Sequence, residues 1–245
     1  MDYSKVVVGT EIYMSEKFSE LWLRAAEKNL PSGVKVIVFD NNLDWQEESI
    51  NVRNRCAKLF YKYVRLLPHC QLAHTAELLR QHALNENAGY FFHLDTDCPP
   101  LAGVFEKMMS HIHNGAIAAT EKTSGCCFVS HTLAATDMTC QRVPYRGTEF
   151  RSRFSDMLNE SHRNPGNGLL YFDHCQAMFH ELELRGNRVD IVNYDFVHAT
   201  IPSFKKKGST RVRDYENNKP LQDHMENVHR AFWDNAEIKE LMCQK

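Results

Sequence analysis

An α/β fold, with a mostly parallel central sheet covered by helices on both faces, is predicted by three features of the chain. Over the first half, short runs rich in Val, Ile and Phe alternate with segments whose apolar residues recur at helical spacing. Pro, Gly, Asn and Asp punctuate the joints between them. Polar residues collect where three of the apolar runs end, at Thr10-Glu11, at Asp40, and at Asp95 and Asp97. Strand-helix-strand order of this kind favours a parallel sheet, because a crossover helix returns the chain to the same edge and buries one face of the sheet.

Residues 5–9 read as the first strand. Residues 15–29 follow as a helix, with Phe18, Leu21, Trp22 and Ala25 at helical spacing and Ser15 in the N-cap place. Pro31-Ser32-Gly33 is a turn, and residues 34–39 form a second buried strand ending at Asp40-Asn41-Asn42. The next helical segment places Val52, Cys56, Leu59 and Phe60 on a ragged apolar face, and residues 63–67 form a short strand. Residues 75–87 are a helix with Ala76, Leu79 and Ala83 on one face. It leads into the apolar run 89–94, which breaks off at Cys98-Pro99-Pro100, and residues 101–113 form another helix.

Past residue 115 the pattern changes. Residues 116–119 and 126–129 read as short strands, followed by a polar connection through Arg142, Arg146, Arg151 and Arg153. Residues 164–168 are a loop. Asp173 then opens a helix that runs to Arg185, Gly186-Asn187 stops it, and residues 189–197 form a strand ending at His198. Residues 221–242, with Met225, Val228, Phe232 and Trp233, read as one amphipathic helix packed on the domain.

Composition narrows the class. A chain of 245 residues with 43% hydrophobic and 11% aromatic content suits one sizeable globular domain, or one domain with an appendage. The formal net charge of −2 names no partner, and no stretch is long and apolar enough to span a bilayer. Met1-Asp2-Tyr3-Ser4-Lys5 runs straight into Val6-Val7-Val8, without the basic and apolar regions of a signal peptide. The eight cysteines include no C-x-x-C, so thiols in a reducing, cytoplasmic compartment are expected rather than a disulfide framework. Neither His69, Cys70 and His74 nor His174, Cys175 and His180 has a second ligand pair at zinc spacing.

The chemistry is concentrated at Asp95-Thr96-Asp97. Alternate residues of a strand point the same way, so two carboxylates here would converge where the sheet opens to solvent. They repel one another unless a cation or hydrogen-bond donors compensate. Oxygen ligands suit Mg²⁺ or Mn²⁺, and a nucleotide diphosphate would complete the coordination shell. An Asx-rich turn after a strand is the alternative. In open α/β sheets ligands bind beyond the carboxyl ends of the strands, which is where Thr10, Glu11, Asp40, Asp95 and Asp97 all fall.

Together these elements resemble the GT-A fold glycosyltransferases, particularly the inverting, nucleotide-sugar-dependent enzymes of family 2, across residues 5–200. The resemblance rests on Val6-Val7-Val8-Gly9-Thr10, on Val36-Ile37-Val38-Phe39-Asp40, on Asp95-Thr96-Asp97, and on the block from Phe172-Asp173 to His198. It implies a Rossmann-like GT-A sheet with a small mixed region on the acceptor side. Residues 1–200 would form one catalytic domain, with 1–115 binding the nucleotide-sugar and 116–200 carrying acceptor and catalytic functions; residues 201–245 would add a basic loop and the terminal helix. It further implies that Asp40 contacts the nucleotide base, that Asp95 and Asp97 hold the ribose and a Mn²⁺ or Mg²⁺ ion, that His198 is a further metal ligand, and that Asp173 is the catalytic base. Asp40 can accept from the uracil N–H, which favours a UDP-sugar donor.

Two departures shape the expectation. Phe172-Asp173 stands where the family often has Glu-Asp, and the Gln/Arg-x-x-Arg-Trp motif of processive synthases is absent. Transfer of a single sugar to an acceptor hydroxyl is therefore expected, and the resemblance implies inversion. Asp173 read alone is equally a helix-capping residue. A sugar-phosphate nucleotidylyltransferase is the rival enzyme, but it would show a glycine-rich basic loop after the first strand. Gly9-Thr10-Glu11-Ile12-Tyr13 has one glycine and no Lys or Arg. A nonenzymatic nucleic-acid-binding protein is the other rival, resting on the basic run Lys205, Lys206, Lys207, Arg211 and Arg213. That run is otherwise a solvated loop, a cradle for donor diphosphate, or a holder for a glycan, lipid-linked or nucleic-acid acceptor.

Overall fold

The computed structural model describes residues 2–13, 15–42, 47–66, 72–121, 128–131, 144–145, 170–171, 182–183, 185–192 and 219–243. Four parallel strands form one side of its sheet. They are β1 (Val6–Ile12), β2 (Lys35–Asp40), β3 (Lys62–Arg65) and β4 (Tyr90–His93), in spatial order β3-β2-β1-β4. The chain winds outward from β1 to β3 and then crosses to lay β4 along the other side of β1. Beyond β4 come β5 (Ala118–Glu121), β6 (Phe128–His131) and β9 (Val189–Val192), completing the order β3-β2-β1-β4-β6-β5-β9. Only β6 runs against the rest of this sheet, pairing antiparallel with both β4 and β5. β7 (Pro144–Tyr145) and β8 (Leu170–Tyr171) make a separate two-stranded ribbon. The mostly parallel α/β sheet expected from the sequence is present, and it continues across residue 115 without a break.

Helix α1 (Glu16–Asn29) is apolar on two sides because it lies between two layers. Trp22, Leu23 and Ala26 pack onto the sheet with Val6, Val8, Val36, Val38 and Phe92. Phe18, Leu21 and Ala25 instead meet Phe232, Ile238 and Leu241 of the C-terminal helices. Each large side chain so covered contributes about 1.5–3 kcal/mol by leaving water. α2 (Glu47–Leu59) and α3 (Leu72–Asn85) complete the crossovers, and α4 (Val104–His113) follows β4, stacking Phe105 on Phe92 at a ring separation of 4.9 Å. α3 lies so near β1 that a Cβ at Gly9 would fall 2.2 Å from Leu79 Cδ1, which is why the strand carries glycine there. Among the described residues no helix is long and apolar enough to cross a membrane.

Three local expectations are corrected. The expected terminal helix is two, α5 (Lys219–Asp234) and α6 (Ala236–Cys243). Asn235 Oδ1 accepts from Glu237 N and Ile238 N at 3.0 and 3.2 Å, capping α6 and so breaking the run. Phe60 leaves the apolar face of α2 altogether, lying 96% exposed just past the helix. β5 begins two residues later than the sequence pattern places it.

Candidate active site at the switch between β1 and β4

The winding of the sheet reverses between β1 and β4, the switch point beyond whose carboxyl ends doubly wound sheets bind ligands. Glu11 pairs in register with Phe39 and Ile12 with Asp40, while Gly9 pairs with His93. Thr10, Glu11, Asp40, Asp95 and Asp97 therefore lie along one edge of the sheet. Thr10 is 2% exposed and its hydroxyl has no hydrogen-bond partner among the described residues. Glu11 is half-buried and accepts from Asn41 Nδ2.

β4 ends at His93, so Asp95 and Asp97 belong to a turn and not to the strand. Cys98 N–H donates to Asp95 O at 2.9 Å, closing that turn. Strand alternation is thus not what aligns the two carboxylates. Burial along the turn alternates nonetheless: Thr96 and Cys98 are buried, whereas Asp95 and Asp97 are half-buried and keep part of their surface open to solvent, with Asp95 Oδ1 itself turned inward. Buried His93 lies beneath, its Nε2 3.7 Å from Asp95 Oδ1. Hard carboxylate donors two residues apart, opening toward a crevice, fit a hard divalent cation such as Mg²⁺ or Mn²⁺. Among the described residues no three His, Cys, Asp or Glu side chains cluster as a metal site, so further ligands would have to come from elsewhere.

Asp40 is fully buried and heavily engaged. Its Oδ1 accepts from Asn42 N at 3.0 Å and Asn42 Nδ2 at 2.9 Å. Its Oδ2 accepts from Arg65 Nη1 at 2.7 Å and from the Tyr63 hydroxyl. Burial alone would raise the carboxyl, but the Tyr63 and Ser49 hydroxyls, the Asn42 N–H and the Arg65 guanidinium outweigh it and hold Asp40 below the usual carboxylate range. Burial and the hydrogen bond to Asp40 push the Tyr63 hydroxyl upward. A direct contact from Asp40 to a nucleotide base therefore requires one of these donors to give way.

Sequence reading missed the groups that organise this edge. Tyr63 and Arg65 alternate along β3 in register with Val38 and Asp40, a period-two signal that was available. Glu48, 4% exposed, joins Ser15 before α1 and Ser19 in its first turns to Asn42 after β2. Nothing local marks Glu48, which reads as an ordinary acidic residue in the first turn of a helix. Ser15 does occupy the N-cap of α1, but its side chain makes no capping bond. Asp173, His198 and the basic run Lys205, Lys206, Lys207, Arg211 and Arg213 lie outside the described residues.

No protein-family model matches the chain, and no curated protein matches it in sequence. Solved structures do. A mannosyltransferase, PcManGT from Pyrobaculum calidifontis in complex with GDP-Man and Mn²⁺, superposes at a TM-score of 0.55 with 10% identity, over 97% of this chain and 72% of that one. Residues 1–349 of S. aureus TarS superpose at 0.50 with 11% identity, over 98% and 74% of the two chains. The fold is accordingly of GT-A type.

Proposed function

We propose that this chain is a metal-dependent glycosyltransferase that moves a single sugar from a nucleoside-diphosphate sugar, UDP-sugar in preference, to an acceptor hydroxyl with inversion. The observation that carries the reading is the Asp95-Thr96-Asp97 turn, which follows β4 at the switch point of a GT-A sheet and leaves both acids only half-buried. The likeness to a mannosyltransferase holding GDP-Man and Mn²⁺ supports the same class of ligands here. Asp95 and Asp97, with His198, hold the cation. When bound, Mn²⁺ or Mg²⁺ neutralises charge developing on the departing diphosphate. Asp173 takes the proton of the acceptor hydroxyl, which attacks from the face opposite the diphosphate. The UDP preference rests on Asp40 exchanging its Tyr63 or Arg65 hydrogen bond for the uracil N–H.

Calorimetry of nucleotide-sugar binding with and without Mn²⁺ tests the reading. Wild type should bind a nucleotide-sugar only with the ion present, and UDP-sugars more tightly than GDP-sugars. Asp97→Ala should keep the fold and lose affinity by about 100-fold or more, the scale of the ~3 kcal/mol lost when one partner of a charge pair is removed. Unchanged Mn²⁺-dependent affinity in Asp97→Ala removes the site. Equal affinity for both nucleotides removes the UDP assignment alone.

A further inference from the structure

The reaction just described gives no task to Glu48, although this carboxylate receives donors from the start of α1 and from Asn42 after β2. Glu48 lies in the first turn of α2, yet its side chain reaches the start of α1. Ser15 N–H donates to both carboxylate oxygens, at 3.1 and 3.2 Å. The hydroxyls of Ser15 and Ser19 donate to Oε1 at 3.3 and 2.6 Å, and Asn42 Nδ2 donates to Oε2 at 3.3 Å. Every contact is one in which Glu48 accepts, and the group is 4% exposed.

The position matters because α1 is a 14-residue helix that starts just past the carboxyl end of β1. A helix N-terminus in that place presents free N–H groups and the positive end of a dipole, and α/β folds commonly seat a phosphate there. In this protein a carboxylate from the neighbouring helix is already seated. The N-cap serine, which would ordinarily satisfy its own helix, is turned to serve Glu48 instead. Thr96, between the two aspartates, donates to the same Ser15 hydroxyl at 3.5 Å, so the filled position adjoins the Asp95–Asp97 turn directly.

We propose that Glu48 is an internal anion that closes the β1–α1 connection to phosphate, and is thereby the residue that restricts the site to donors whose phosphates lie on the Asp95–Asp97 side. The identity of those donors rests on the glycosyltransferase reading; the closure itself does not. A nucleoside triphosphate, whose longer phosphate chain needs a cradle after β1, is excluded by like charge and by the occupied Ser15 N–H. A diphosphate sugar is not.

The test is anion rescue in metal-free buffer. Glu48→Ala takes away the carboxylate that accepts from the Ser15 N–H, together with one of the acceptors of the Ser19 hydroxyl and of the Asn42 amide. It should melt below wild type and recover most of that loss as formate or inorganic phosphate is titrated, while wild type does not respond. Glu48→Gln fills the same space and should melt low without recovering. Calorimetry should show metal-free UTP binding to Glu48→Ala about tenfold or more tighter than to wild type. A folded Glu48→Ala that neither recovers with anions nor gains UTP affinity overturns the proposal, as does wild type whose Ser15 amide resonance shifts on addition of phosphate. Should Glu48→Ala fold only when anion is added, that dependence is itself the rescue; failure to fold at any anion concentration counts against it. Absence of Mn²⁺-dependent nucleotide-sugar binding in wild type would sink the glycosyltransferase reading and leave these outcomes standing.

Discussion

Asp40 ends β2 with no exposed surface and with donors on both of its oxygens, so a residue expected to face a ligand is also a structural tie between β2, β3 and the loop after β2. Its folded-state pKa lies below the unfolded value of about 3.9. A depressed carboxyl contributes stability that is fully present above the unfolded pKa and lost as pH falls through the folded one. Wild type should therefore lose stability progressively below about pH 4, and Asp40→Asn should flatten that acid limb in urea melts run across pH. At neutral pH the same variant should be less stable by about 3–5 kcal/mol, because the nearly buried Arg65 guanidinium keeps its burial and loses its counter-charge. An acid limb identical in both proteins would show that Asp40 carries no such linkage. At this scale the sequence revealed the acids but not their partners. Asp40, Asp95 and Asp97 stand at ends of apolar runs, a local signal, whereas the service of Glu48, Tyr63 and Arg65 depends on which segments meet in space.

Elements were legible where a single period governed them, and blurred where a terminus was settled by backbone geometry. β1, α1, β2 and α4 follow from alternation and helical spacing. The end of α2 does not, because Phe60 satisfies a hydrophobic pattern while occupying the residue just after the helix with φ of 57°. Tyr61 N–H donates to Cys56 O at 2.9 Å and Phe60 N–H to Ala57 O at 3.4 Å, the pair of bonds that closes a helix through a left-handed residue. Glycine is the residue that holds this conformation without a Cβ penalty of about 1–2 kcal/mol. At 96% exposure, Phe60 makes up little of that loss by packing. Phe60→Gly should therefore raise the melting temperature, by about 2–4 °C for roughly 1 kcal/mol in a chain of this size. A lower melting temperature would mean that the ring stabilises the fold through contacts its exposure does not suggest. The division of the terminal helix has a similar origin, since Asn235 belongs to a helical pattern and acts as a cap.

On the scale of the molecule, the alternation of strands and helices implied a parallel sheet, but not the order β3-β2-β1-β4-β6-β5-β9 or the reversed β6. Strand order is decided by crossovers between segments distant in sequence, and periodicity carries no information about them. Under the proposed function, two tasks fall to different parts of the chain. β1 to β4 bring Asp40, Asp95 and Asp97, the acids proposed to bind the donor, to the switch point, while Asp173 belongs to the later part of the chain, expected to carry acceptor and catalytic functions. If the two tasks are separate, they should fail separately. Asp97→Ala should lose donor binding, whereas Asp173→Asn should bind Mn²⁺ and nucleotide-sugar nearly as wild type and lose transfer by about 100-fold or more, the usual scale for removing a general base. Asn keeps the shape and N-capping ability of Asp, so a residue that only capped a helix would give near-normal turnover in this variant and at most a modest drop in melting temperature. Calorimetry, steady-state kinetics and thermal melting on the one Asp173→Asn protein distinguish these outcomes. Full turnover would return Asp173 to the role of helix cap and leave the base to another carboxylate in the later half of the chain.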